Sequence, residues 1–223
     1  MLRAVGLTLD HIDANGPIAL TPSLALKRYF VEWAAEAFAW PLYTAEDLYA
    51  VNKVLNEVDF PPLAIMHDLL LSTRLARHRQ GALHMTRLAQ QLRSDPAALW
   101  TLLAKQFLFA TDHTGYTRFG DWPFGNWDIF LNIINVEAEQ GLTEPHLVKT
   151  LYGLERQGVY DREYYDHAGF LFTHVLRPLN WIGFLAETSG SDRRSDKTYW
   201  KTPLWRACLQ LSTDDMVDAP SRH

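Results

Sequence analysis

Apolar positions recur at helical spacing along most of this chain, and the polar, proline and glycine positions between them mark the elements. Residues 1 to 19, broken by Asn15-Gly16-Pro17, read as an irregular N-terminal arm. Thr21-Pro22 has the form of an N-cap followed by a first-turn proline, and Leu26, Phe30, Trp33, Ala34, Ala37 and Phe38 follow at helical spacing until Trp40-Pro41. Thr44 caps a second helix, with Glu46 and Asp47 in its first turn and Leu48, Val51 and Leu55 as its buried stripe. Pro61-Pro62 opens a third, running to about Thr73. Residues 74 to 79 and 82 to 85, separated by Gln80-Gly81, are two short segments able to pair as a hairpin. Thr86 restarts a helix to Leu92, and Asp95-Pro96 starts another carrying Leu99, Leu102, Leu103 and Phe107.

Helix, helix, helix, hairpin, helix is the order of a winged helix, a helix-turn-helix variant whose hairpin is the wing. The order returns downstream. A helix is predicted over Trp127 to about Glu139, and a second from Thr143-x-Pro145 to near Gly158. The third covers Asp161 to Ile182, bent at Gly169 or Pro178. Phe184 to Glu187 and Thr198 to Lys201 then flank a polar loop, and Thr202-Pro203 caps a last helix through Leu211. Leu75-Ala76 before the first turn pairs in this reading with Leu185-Ala186 before the second, and Thr86-x-Leu88 with Thr202-x-Leu204. The expected fold class is mainly α with short β-hairpins, two winged-helix-like units in tandem. The expected divisions are an arm (1–19), a first unit (20–110), an aromatic loop (111–126), a second unit (127–211) and a frayed polar tail (212–223).

Three stretches, Val31-Glu32-Trp33-Ala34-Ala35-Glu36, residues 43–57 from Tyr43-Thr44-Ala45-Glu46-Asp47 to Glu57, and Asp59-Phe60-Pro61-Pro62-Leu63, carry a resemblance. They are similar to the C-terminal region of bacterial plasmid- and mobile-element-associated open-reading-frame-three-like proteins, over about residues 18 to 110. The resemblance implies a bacterial, mobile-DNA setting rather than a mechanism. Such proteins often carry a larger N-terminal region for which this chain has no room, and its role is not carried over.

Composition narrows the classes. The chain has 223 residues, 48% of them hydrophobic, and a formal charge of −5, so it is no disordered chain and no polycation built to coat nucleic acid. Cys208 is the single cysteine, which excludes an internal disulfide or cysteine-rich zinc site. No signal peptide is evident, and the apolar runs stop short of the roughly 18 residues a membrane span needs, so a cytoplasmic protein with no membrane contact is expected.

The charge is unevenly spread. From Leu69 to Ser94 there is no acid, yet there are five arginines and two histidines. Guanidinium forks bind phosphate oxygens, and a hairpin holds them away from the body. Arg74, Arg77, His78, Arg79, His84 and Arg87 are therefore candidate contacts to duplex DNA, with Arg193, Arg194, Lys197 and Lys201 a weaker second set. Charge on a solvated hairpin also serves as edge protection, with no ligand involved. The third helix of the first unit, Leu63 to Leu71, has no Arg, Lys, Asn or Gln with which to read base edges, and only Arg177 and Asn180 stand in the second. Seven acids and one lysine lie between Glu32 and Asp68, and eight acids between Asp128 and Asp166. Such faces suit a basic protein partner.

The leading expectation is thus a non-enzymatic DNA-binding protein, regulatory or accessory to a mobile element, needing no cofactor. The alternative is a protein-interaction adaptor, built as tandem winged helices are in kleisin-binding subunits, whose wings are solvated or form a homodimer. An enzyme of unknown class is third. Its evidence is Asp112 and His113 beside Tyr116, Arg118, Asp121, Trp122 and Trp127, and a weak metal-like set of Asp161, Glu163, Asp166, His167 and His174. No nucleophile elbow, phosphate-binding loop, dinucleotide fingerprint or H-E-x-x-H motif occurs.

Overall fold

The structure is a computed structural model that describes residues 1–113, 126–158, 161–188 and 197–217. It is mainly helical with two small antiparallel sheets, and the chain divides into two compact units, Met1–Thr111 and Asp112–His223.

The N-terminal arm is in fact a helix, α1 (Leu2–Asn15). Ala4, Val5, Leu9 and Ile12 are buried along one stripe, and Thr8 is tolerated among them because its hydroxyl donates to the Ala4 carbonyl at 2.8 Å. Arg3 donates to the carbonyls of Ala37 and Phe38 at the end of the next helix. Gly16, at φ +83°, ends α1 with its N–H on the Ile12 carbonyl. The helix has no side-chain cap and no acid in its first turn, so its start carries no sequence signal.

Strand β1 (Ile18–Ala19) follows. Thr21-Pro22 then closes a tight loop instead of starting a helix: the Ala25 N–H donates to the Thr21 hydroxyl, the Thr21 N–H to the Ala25 carbonyl, and Leu24 sits at φ +65°. Helix α2 (Arg28–Phe38) begins only beyond it. The capping box predicted at Thr44 is present, with Asp47 as its reciprocal partner, and α3 (Ala45–Val51) ends one turn short of Leu55. A 3-10 turn (Glu57–Asp59) leads to α4 (Pro61–Ser72), then the hairpin β2 (Ala76–Arg79) and β3 (Ala82–Met85), then α5 (Arg87–Leu92) and α6 (Pro96–Phe109). Gln80 at φ +51° and Gly81 at φ +71° make the two-residue turn of the type whose twist matches the strands. The sheet order is β1-β3-β2.

The second unit opens with α7 (Trp127–Glu137), a 3-10 turn (Ala138–Gln140), β4 (Leu142–Thr143) and α8 (Glu144–Tyr152). Helix α8 stops at Gly153, φ +69°, short of the expected Gly158. Between α9 (Arg162–Leu171) and α10 (Arg177–Ile182) lies a π-helical segment, Phe172–Leu176. Pro178 has no N–H to give and its ring crowds the carbonyl of His174, so the ladder widens there rather than at Gly169. Strands β5 (Leu185–Thr188) and β6 (Thr198–Lys201) follow, and α11 (Pro203–Cys208) ends before Leu211. The polar tail is not frayed at its start. Asn132 and Asn135 bind Thr213 and Asp214, anchoring a short turn, α12 (Asp214–Val217).

The sheet order of the second unit is β4-β6-β5, the same as that of the first. The hairpin bases match bond for bond. Thr86 donates its N–H to the Leu75 carbonyl (3.0 Å) and its hydroxyl to that of Arg74 (2.8 Å). Thr202 does the same to Phe184 (3.0 Å) and Gly183 (2.6 Å). The repeat therefore equates Leu75 with Phe184, one residue away from the sequence pairing with Leu185, and it starts at α1 and α7 rather than at residue 20.

Candidate nucleic-acid interface

The ladder of the first hairpin decides which basic groups reach solvent. Arg77 pairs with His84 and Arg79 with Ala82 across the strands, while Ala76 pairs with Met85 and His78 with Leu83. Alternation puts the first two pairs on the outer face and the second two against the body, where Ala76 and Leu83 are fully buried. Arg74 stands exposed at the hairpin base at φ +59°. Thr86, hydrogen-bonded to the Arg74 carbonyl, brings exposed Arg87 to the same end. Among the described residues, none of Arg74, Arg77, Arg79 and Arg87 makes an ion pair with an acid. Arg93, from the same acid-free stretch, differs: it is held by Asp13 at 2.8 Å and Asp10 at 4.0 Å.

His78 must be removed from this outer set. Its Nε2 lies 2.9 Å from Nε2 of His67, whose Nδ1 lies 2.6 Å from Oε1 of Glu57. The other carboxylate oxygen of Glu57 accepts the Leu26 N–H. Burial, reinforced by the neighbouring His67, lowers the His78 pKa, with Glu57 and Asp68 pulling the other way. Sequence reasoning missed this chain. Its only signal was that Glu57 and His67 are polar residues flanking and interrupting the apolar run around Phe60 to Leu71.

The described part of the second hairpin carries no free cation. Lys197 binds Glu187 at 2.7 Å and lies over the Phe172 ring. Lys201 binds Glu139 at 2.6 Å and the Asn135 carbonyl at 2.7 Å, and its side chain is only 8% exposed. Both are tied to an acid of their own unit, unlike the arginines of the first hairpin. Arg193 and Arg194 lie outside the described residues. The outer face here presents Ala186, Thr188 and Trp200, the indole N–H of Trp200 bonding the Thr188 hydroxyl. Tyr199, facing inward, has its pKa pushed up by burial and by Glu187 and Glu144.

Helix α4, expected from the sequence as the third of the first unit, presents few polar groups. In α4 only Asp68 and Ser72 are well exposed, and Leu63, Ile65, Met66, Leu69 and Leu70 are core. Asn180 donates to the Leu185 carbonyl and Arg177 lies over the Trp181 ring.

The enzyme-like sets fare differently from their spacing. Tyr116, Arg118, Asp121 and Trp122 lie outside the described residues. His113 and His174 are both buried, their rings 6.3 Å apart, and His174 stacks on Phe170. Burial, with Arg177 adding to it, lowers the His174 pKa. His167 instead bonds the Glu163 carbonyl and packs on Tyr152. Among the described residues no three His, Cys, Asp or Glu side chains are grouped to hold a metal ion, and no helix is long and apolar enough to cross a membrane.

No solved structure matches the chain. The profile of the Y4jL N-terminal domain matches residues 1–98 and that of the y4jL C-terminal domain residues 117–203. The first match starts at α1, in keeping with that helix being part of the first unit. An uncharacterized protein, y4jL, of Sinorhizobium fredii (strain NBRC 101917 / NGR234) is 39% identical over 160 residues, spanning 70% of this chain and 71% of the relative. With both domains matched in order and that degree of identity, the chain belongs to the y4jL family.

Proposed function

We propose that this is a non-enzymatic protein of two winged-helix-like units that binds duplex DNA along its backbone through the first wing. The fold reading is supported by each unit's run of helix, short strand, helices and hairpin, with the short strand paired to the far strand of the hairpin. The observation that carries the function is the set of four exposed arginines without acidic partners among the described residues, Arg77 and Arg79 on one hairpin face beside His84, Arg74 and Arg87 at its base. Unpaired guanidinium groups gain bidentate hydrogen bonds and release counterions when they meet phosphate. The buried α4 leaves base readout without a reader, so affinity depends on the backbone and hardly on sequence. The mobile-element setting is supported only by the resemblance of residues 31–63.

Fluorescence anisotropy with two duplexes of unrelated sequence tests this reading. Equal affinities for both, and loss of binding in an R74A/R77A/R79A/R87A variant that stays folded, are expected. No binding at low salt, or unchanged binding by the variant, contradicts it.

A second reading, an adaptor for a basic protein partner, is favoured by the segment around α3. Leu42, Tyr49, Val51 and Val58 are exposed there at 59%, 44%, 84% and 80%, among Glu46, Asp47 and Asp59. Recovery of one stoichiometric partner from nuclease-treated lysate, lost on V51E/V58E, would favour this reading over the first.

A further inference from the structure

The chain Glu57–His67–His78 joins the interior of the first unit to the strand that carries Arg77 and Arg79. Strand β2 is the edge of its sheet, and β3 and α4 are the elements that chiefly pack against it. Glu57 as a carboxylate accepts from the Leu26 N–H and from Nδ1 of His67, which fixes a proton on that nitrogen. Nε2 of neutral His67 is then an acceptor, and Nε2 of His78, 2.9 Å away, must donate. One added proton leaves the bond intact, because a single proton still lies between the two Nε2 atoms. A second added proton sets two N–H donors and two positive rings against each other at that distance. The charges that act on His78 are those of His67 and Asp68 from α4 and Glu57 from the 3-10 turn. Strand β3 sets Leu83 opposite it and turns His84 to the other face. Burial and His67 both oppose a charge on His78.

We infer that the His67–His78 contact is a proton-counted latch, which holds the arginine-bearing edge strand against α4 while the two rings share at most one added proton and lets it go when both are charged. Its consequence for DNA rests on the proposed phosphate-binding role of the wing. Acid then acts against ordinary electrostatics. Added positive charge alone would strengthen phosphate binding, whereas release of β2 loosens the frame that aligns Arg77 and Arg79.

The decisive comparison is wild type against His78→Gln, whose side-chain amide still donates to His67 but does not titrate. Amide hydrogen exchange of residues 75–86 is followed at pH 7.5 and 5.5, corrected for intrinsic rates. The latch predicts that protection in wild type falls by about tenfold, the effect of one extra proton bound on opening over one pH unit below the ordinary histidine pKa, and that H78Q stays nearly level. No change in wild type, or equal change in both, overturns it. Should H78Q fail to fold, ring resonances of the wild-type histidines decide: two separated titration steps for His67 and His78 support the latch, and independent titration at one common pH overturns it. Duplex affinity at pH 5.5 is expected to be weaker for wild type than for H78Q. If neither protein binds duplex at any pH, the exchange result still decides the latch, and the nucleic-acid reading alone fails.

Discussion

At the scale of single residues, the basic side chains sort by what already holds them. Lys201 is buried among Glu139 and Asn135, so Lys201→Ala strips partners from a 2% exposed asparagine that also accepts the Trp205 indole N–H. A loss of roughly 1–3 kcal/mol is expected in urea unfolding. Arg77→Ala and Arg79→Ala remove no ion pair among the described residues and should stay within about 0.5 kcal/mol of wild type in the same assay. Equal losses for all three would contradict the division into structural and free cations. The lowered pKa values of His78 and His174 fix a sign for pH dependence. Unfolding returns both rings to an ordinary pKa near about 6.5, so the unfolded chain binds more protons as pH falls through that value. Stability should therefore hold above about pH 7 and decline between there and the lowered folded values, read as a falling urea midpoint. The sequence grouped the arginines, because an acid-free stretch is visible in one dimension. It could not separate His78 from them, since one-residue alternation assigns a face only once the strand register is known.

Elements were legible where a cap or breaker marks them. Thr44 with Asp47, Pro61-Pro62, Gln80-Gly81, Thr86 and Asp95-Pro96 all act at the positions predicted. Misreadings came from local chemistry with two outcomes. Thr21-Pro22 fits a helix start and a tight loop equally well, and the left-handed Leu24 belongs to the loop. Helix α1 lacks a cap, so only its apolar stripe announced it. Its role in the core gives a test: Leu9, with no exposed area, packs inside the first unit. Leu9→Ala should cost roughly 2–5 kcal/mol in chemical denaturation. A loss below about 0.5 kcal/mol would return residues 1–15 to the status of a dispensable arm.

Over the whole molecule, a formal charge of −5 argues against nonspecific coating of nucleic acid, yet it averages acidic helical stretches with a hairpin whose arginines have no acidic partner among the described residues. The doubling of the unit was visible in outline from the two Thr-x-Leu sequences after the hairpins, but its true start and register needed the hydrogen bonds of Thr86 and Thr202. The two wings have also diverged in a way composition hides, since the described cations of the second are tied to Glu187 and Glu139. The most direct test of backbone binding by the first wing is the salt dependence of duplex affinity, measured for wild type and for R74A/R77A/R79A/R87A. Each phosphate contact contributes about −0.9 to the slope of log K against log salt, so four contacts predict a wild-type slope of roughly −3 to −4 that flattens to near zero in the variant. A variant that keeps the wild-type slope would show that these arginines do not hold DNA.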